Sequence, residues 1–312
     1  MTELFIRLPE AGEVVAGYRL DEPIGEGGMG VVWAAEQIAL GRPVAVKVIR
    51  PELAADPEFR RRFTSEARAA ATMDHPNVVT VYDAGEDGCL FLAMALIDGG
   101  NLGELLELNG PLRADDAVAI LLQVCEGLAA AHDAGLVHRD VKPANVLLTA
   151  DGSRALITDF GIAKNLDGST ATNTAHLVGT LDYLAPEQIE GLTVDARTDV
   201  YAVGCVLYEA LTGHVPYERE GAPARMWAKV SEAPPRASEH AAVPAAIDEV
   251  IATAMAKDPA DRYQTPAALG AAARAAVEPL VITRRPFPVD RLERRRRPAE
   301  KLDEAPDGGE HV

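Results

Sequence analysis

The chain has 312 residues, 48% hydrophobic and 25% charged, enough apolar content for one large domain or two lobes and too much for a disordered chain. Aromatic residues at 5%, with 21 Pro and 26 Gly in no fixed period, exclude collagen-like and low-complexity chains, and no uncharged apolar run reaches the roughly 18 residues that a membrane helix needs. A formal charge of −18 disfavours nonspecific attraction to nucleic acid or anionic lipid, both of them polyanions.

Residues 1–16 read as an N-terminal extension, with Glu3 where a secretion signal carries positive charge and no apolar core behind it. Residues 18–50 hold two β-rich runs around glycines, then a Gly41-Arg42-Pro43 turn and the alternating run at 44–49, which together predict a sheet meander. Asp56-Pro57-Glu58 supplies an N-cap, a proline for the first turn and an acid near the positive helix end. The helix that starts there carries Phe59, Phe63, Ala67 and Ala70 at helical spacing, with Glu66 beside that stripe and Arg62 one turn earlier. Strand character returns over 78–98. After Asp98-Gly99-Gly100 the pattern becomes Ala/Leu-rich and helical, clearest over 114–134 and 199–212, and stays so to about residue 276. A small β-rich lobe (17–97) therefore precedes a larger helical lobe (98–276). The stretch 277–312, punctuated by Pro286, Pro288, Pro298 and Pro306, basic over 284–297 and acidic over 300–310, has the composition of a disordered charged tail. Cys89, Cys125 and Cys205 lie far apart in apolar runs, which fits buried reduced thiols in a cytoplasmic protein rather than a disulfide or metal framework.

Gly25-Glu26-Gly27-Gly28-Met29-Gly30 fits GxGxxG, whose glycines let backbone N–H groups approach phosphate oxygens. By itself it also suits a plain glycine-rich hairpin. A dinucleotide fingerprint would need a helix next and an acid about twenty residues on, whereas here β-prone Val31-Val32-Trp33 follows and the charged residue is Lys47. Lys47 stands amid apolar residues and requires an anionic partner. Further on, His138-Arg139-Asp140-Val141-Lys142-Pro143-Ala144-Asn145 packs an acid, two bases and an amide into one short stretch, and Thr158-Asp159-Phe160-Gly161 follows a hairpin-like run.

In this order, after Lys47 and Glu66, these segments form the protein-kinase signature set. Over residues 17–276 the chain resembles the bacterial eukaryotic-like (Hanks-type) Ser/Thr protein kinases, and its Ala-rich composition resembles that of the actinobacterial Pkn family. The resemblance implies an α+β bilobal kinase fold, a small β-rich N-lobe with one key helix and a larger, mostly α-helical C-lobe. It implies that Lys47 holds the α/β-phosphates of ATP and pairs with Glu66, that Asn145 and Asp159 bind Mg²⁺ (with Mn²⁺ able to stand in), that Asp140 accepts the hydroxyl proton and that Lys142 steadies the transferring phosphoryl group. Gly25, Gly27, Gly28, Gly30, Val32, Ala45, Met94, Ala95, Ile97 and Leu147 would complete the nucleotide site, with Met94 at the back of the adenine pocket and 95–97 as the hinge. In relatives Glu187 of Ala185-Pro186-Glu187 pairs with Arg262, and Asp199 braces the catalytic loop.

Lys142, with Gly179-Thr180 ahead of Tyr183, resembles the pattern of Ser/Thr rather than Tyr kinases. Two departures stand out: Ala95 where many relatives have an acid, and Ala144 where kinases preferring basic substrates often have Glu. Thr172 and Thr174 resemble the phosphorylated Thr-x-Thr pair of related kinases, with Arg139, Lys164 and Arg62 as a basic cradle. Relatives also pair through the small lobe when activating. A pseudokinase scaffold would lack Lys47, Asp140 or Asp159, and none is missing. A small-molecule phosphotransferase would have no use for the Thr-rich segment and Ala185-Pro186-Glu187. The tail can be a docking module or simply solvated.

Overall fold

Residues 7–160, 181–278 and 286–289 are described by the structure, a computed structural model. The meander folds as β1 (Val14–Val15), β2 (Tyr18–Gly27), β3 (Gly30–Gln37) and β4 (Arg42–Ile49). Strands β5 (Val81–Glu86) and β6 (Leu90–Met94) complete an antiparallel six-stranded sheet in the order β1-β2-β3-β4-β6-β5. Register decides which residues share a face. Gly25 pairs with Val32, Val32 with Lys47 and Lys47 with Leu92, while Ala45 pairs with Met94. Paired residues project to the same side and the side-chain period along a strand is two, so Val32, Ala45, Lys47 and Met94 all occupy one face. The opposite face carries Leu20, Trp33, Val44, Val46, Val48, Phe91 and Ala93, a separate apolar cluster on the outside of the small lobe.

The short α1 (Pro51–Ala54) leads into α2 (Pro57–Ala71), which begins at the expected cap: Asp56 Oδ1 accepts from Glu58 N–H at 2.8 Å. Phe59, Phe63, Ala67 and Ala70 are the buried positions of α2, which leaves Glu66 and Arg62 half-buried at the flank of the stripe.

Across the connection at 95–101 come α3 (Leu102–Asn109), α4 (Ala114–Asp133), the hairpin β7 (Val146–Leu148) and β8 (Ala155–Ile157), α5 (Pro186–Glu190), α6 (Ala196–Thr212), α7 (Ala222–Ser231), α8 (Ala245–Ala254) and α9 (Pro266–Val277). The two long helical patterns are α4 and α6. The latter is almost wholly buried, with Val200, Tyr201, Cys205 and Leu207 at 0–1% exposure. One apolar cluster runs from the inner sheet face and α2 through this helical lobe. All three cysteines are buried free thiols, and among the described residues no helix is long and apolar enough to cross a membrane.

One expectation fails locally. Within the stretch read as a disordered tail, residues 286–289 are packed, with Phe287 and Val289 only 4% and 2% exposed and Phe287 N–H bonded to Gly152 O at 2.7 Å. Composition averaged over the tail hides the local Pro-Phe-Pro-Val, which is apolar and conformationally restricted by its prolines. The rest of 279–312 lies outside the described residues, as does 161–180.

Candidate active site

The small lobe contributes a glycine hairpin and a lysine. Gly27 and Gly30 pair across the turn at Gly28-Met29, and Arg50 secures this hairpin from behind, its N–H donating to Met29 O (2.9 Å) and its guanidinium meeting Glu26 (2.7 Å). Gly30 has a further reason to be glycine: a Cβ there would lie 1.9 Å from Val48 O. Lys47, facing the cleft from β4, places Nζ 2.8 Å from Asp159 Oδ1.

The large lobe contributes the segment before β7 and the segment after β8. Because Val146 pairs with Ile157, antiparallel geometry brings Asn145 beside Thr158-Asp159, and Thr158 N–H donates to Asn145 O at 3.0 Å. Asp140 is the hub of its loop. Its carboxylate receives Lys142 Nζ at 3.0 Å and Asn145 Nδ2 at 3.3 Å, and its carbonyl receives the same amide at 2.8 Å. The Asn145 amide nitrogen is thereby committed to Asp140, which leaves its side-chain carbonyl oxygen as the available ligand atom.

His138, fully buried, ties the two segments together. Nδ1 accepts from Asp140 N–H (3.2 Å), so Nε2 carries the proton and donates it to Thr158 O at 2.8 Å, and the ring packs 4.8 Å from Phe160. Arg139 and Asp159 hold left-handed backbone, φ 63° and 58°, which for non-glycine residues costs of order 1–3 kcal/mol and persists only when neighbours over-determine it. At Arg139 both peptide groups are pinned: its N–H donates to Asp199 Oδ1 (2.7 Å) and its carbonyl accepts from Gln188 Nε2 (3.1 Å). Asp199, wholly buried, also accepts from His138 N–H (2.8 Å) and His132 Nε2 (2.7 Å).

Beneath the loop Glu187 and Arg262, 4% and 3% exposed, form a bidentate pair at 2.8 and 2.7 Å, and Thr198 adds a hydroxyl at 2.6 Å. Burial pushes the Glu187 carboxyl up, but the hydrogen bonds from Arg262 and Thr198 outweigh it and hold the group below its usual range. Both contacts implied by the resemblance, Glu187 with Arg262 and Asp199 with the loop, are thus formed.

The implied Lys47–Glu66 pair is not formed. Asp159 takes the Lys47 ammonium, and Glu66 lies instead in the field of Arg139 and Arg62, with Oε2 buried and without a hydrogen bond. Burial raises its carboxyl above the usual range against the pull of those two arginines. Met94 is buried, with Thr158 Oγ1 3.8 Å from its sulfur, and Ala95 N–H is held by Thr80 O at 2.9 Å. Ala45, within β4, is buried, and Leu147, within β7, is half-buried. Lys164, Thr172 and Thr174 lie outside the described residues.

His132, Thr198, Gln188 and Arg50 escape a reading by motif. Each serves a motif residue from outside the motif. The available signal is modest: a histidine in the last turn of α4, six positions before His138.

The donors available for a divalent cation are a carboxylate (Asp159) and an amide carbonyl (Asn145). This pair suits Mg²⁺, which takes few protein oxygens and keeps water and phosphate oxygens as its other ligands. No cluster of three or more His, Cys, Asp or Glu side chains able to hold a metal occurs among the described residues.

Residues 18–272 match the protein kinase domain family. The probable serine/threonine-protein kinase CE0033 of Corynebacterium efficiens is 45% identical over 266 residues, covering 81% of this chain and 40% of that protein. Serine/threonine-protein kinase PknB of Mycobacterium tuberculosis is 42% identical over 262 residues, covering 81% and 42%. The chain therefore spans about two fifths of the length of these curated relatives. The crystal structure of the Mycobacterium tuberculosis PknI kinase domain aligns with a TM-score of 0.71 at 33% identity, covering 86% of this chain and 100% of that one.

Proposed function

This chain belongs to the protein kinase family, and from that premise we propose that it transfers the γ-phosphoryl group of ATP to serine and threonine hydroxyls of proteins, its own activation segment included. Residues 17–276 are assigned as the catalytic domain, working in the cytoplasm. The observation that carries the reading is the convergence of Lys142 and Asn145 on the carboxylate of Asp140, with Lys47 and Asp159 joined across the cleft.

The chemistry asks these residues for position and charge. Asp140, held by Asn145 and by the Asp199 brace behind Arg139, accepts the proton of the substrate hydroxyl as its oxygen bonds to phosphorus and ADP departs. Lys142, 3.0 Å from that carboxylate, would offset charge on the transferring phosphoryl oxygens. Lys47 and the glycine hairpin hold the nucleotide phosphates, and Val32, Ala45, Met94 and Leu147 enclose the base, which the backbone at Ala95 and Ile97 reads. Asn145 and Asp159 would hold Mg²⁺, with Mn²⁺ as substitute, and the cation supplies charge neutralisation to the phosphates.

Activation follows from Glu66. Two of the three cradle residues, Arg62 and Arg139, already act on its carboxylate. A phosphate on Thr172 or Thr174 would compete for both, releasing Glu66 toward Lys47. Two copies could meet through the small lobe during activation, where Ile38 and Leu40 are exposed.

Radiolabel transfer from Mg·ATP to a generic protein substrate tests the activity. Asp140→Asn should lose roughly 10²–10⁴ of the rate, and equal incorporation by both proteins would defeat the proposal. Peptide mapping after incubation should find phosphate on Thr172 or Thr174.

A further inference from the structure

Residues 286–289 make contacts on two segments that flank the exit of the interlobe connection. One is the turn between β7 and β8: Phe287 N–H donates to Gly152 O at 2.7 Å, and the backbone approach is close. Gly152 has φ +63°, and a Cβ there would stand 2.5 Å from Phe287 O and 2.7 Å from Phe287 N, so only glycine leaves room. The other is the end of α3, where Asn109 Nδ2 donates to Pro288 O at 2.9 Å. Phe287 and Val289 insert into the large-lobe cluster.

Both segments hold the connection. Ala150 N–H in the turn donates to Asp98 Oδ1 (3.2 Å), Leu148 N–H donates to Gly100 O (2.9 Å), and Leu147 bridges to Asn101, whose side chain caps α3 at Glu104 N–H (3.0 Å). The turn is stiffened from within by Asp151, which accepts from the Thr149 hydroxyl and from both Ser153 donors. A clip across the turn and the end of α3 therefore bears on residues 98–101 through these contacts.

We propose that Gly152 and Asn109 form a docking site for an internal peptide ligand, Pro-Phe-Pro-Val at 286–289, and that its occupancy sets nucleotide affinity by fixing the 98–101 exit of the hinge. The prolines on both sides of Phe287 restrict the undocked chain, so seating it costs less conformational entropy than for an ordinary tetrapeptide. The docking half stands on the contacts alone, and the affinity half rests on the nucleotide site proposed above.

The test uses the full chain carrying Phe287→Ser and Val289→Ser, with two readouts. Hydrogen exchange at the Leu148 and Ala150 amides should quicken. The dissociation constant for a fluorescent ATP analogue with Mg²⁺ should rise roughly three- to tenfold, the scale on which contacts outside a site modulate it. Should the double variant fail to fold, Asn109→Ala carries the same readouts in the same direction with a smaller effect. Unchanged exchange overturns the docking site. Quickened exchange with unchanged affinity overturns the coupling to nucleotide. A wild-type protein that binds no nucleotide strikes at the proposed kinase activity instead, and the exchange readout still decides whether the segment is docked.

Discussion

Glu187 and Glu66 are both helix-borne glutamates with buried oxygens, one in the large lobe and one at the cleft, and the protein treats them in opposite ways. Glu187 receives two nitrogens of Arg262 and the Thr198 hydroxyl, and it stays ionised below its usual range. Glu66 keeps a buried oxygen without a hydrogen bond, and burial lifts it above its usual range. The large-lobe carboxylate is a completed structural joint, while the cleft carboxylate is held by charges that can be rearranged. The completed joint lies beneath the catalytic loop, and the unfinished one lies on the helix that faces the cleft.

The largest test of that contrast is Arg262→Ala. It leaves Glu187 buried without its partner, and urea denaturation should show a loss of about 3–5 kcal/mol. A loss under about 1 kcal/mol would mean that the joint is not structural. Next comes His132→Phe, which removes one of the donors on Asp199. A stability loss of about 1–3 kcal/mol is expected, together with slower phosphoryl transfer, because Asp199 sets the backbone of Arg139. Transfer that stays at the wild-type rate would uncouple the brace from the chemistry.

Glu66→Gln should go the other way and gain up to about 1 kcal/mol at neutral pH, a figure reduced for the part of the side chain that meets water. It should also lose phosphoryl transfer if Glu66 must reach Lys47. Loss of stability in this variant would show that Arg62 and Arg139 hold Glu66 as firmly as Arg262 holds Glu187.

The smallest effect is the pH dependence. For Glu66, with its folded pKa raised, the folded protein binds more protons than the unfolded one between the ordinary carboxyl value and the raised value. Its contribution to stability therefore falls as pH rises through that window. The gain from Glu66→Gln should grow across the same interval and vanish below it. For Glu187, with its folded pKa lowered, the stabilisation is complete above the ordinary value and fades as pH falls through the lowered one. Stability of wild type and Glu66→Gln measured across the acid range separates the two curves.

The chain itself determined what depends on short range. Alternation over 44–49, the Asp56 cap, the α4 and α6 periodicities and the spacing of Asp140, Lys142 and Asn145 are local patterns, and the strand register that places Val32, Ala45 and Lys47 on one face follows once the meander forms. Tertiary structure decided what depends on which distant group arrives first at a charge. The resemblance paired Lys47 with Glu66, whereas in the fold its ammonium meets Asp159, whose backbone is left-handed. His132 found Asp199 across the helix packing, and Phe287 found Gly152 because a missing Cβ left room for its backbone. Propensity and period act over a few residues, whereas a buried charge or an apolar ring is satisfied by whatever the fold brings within reach.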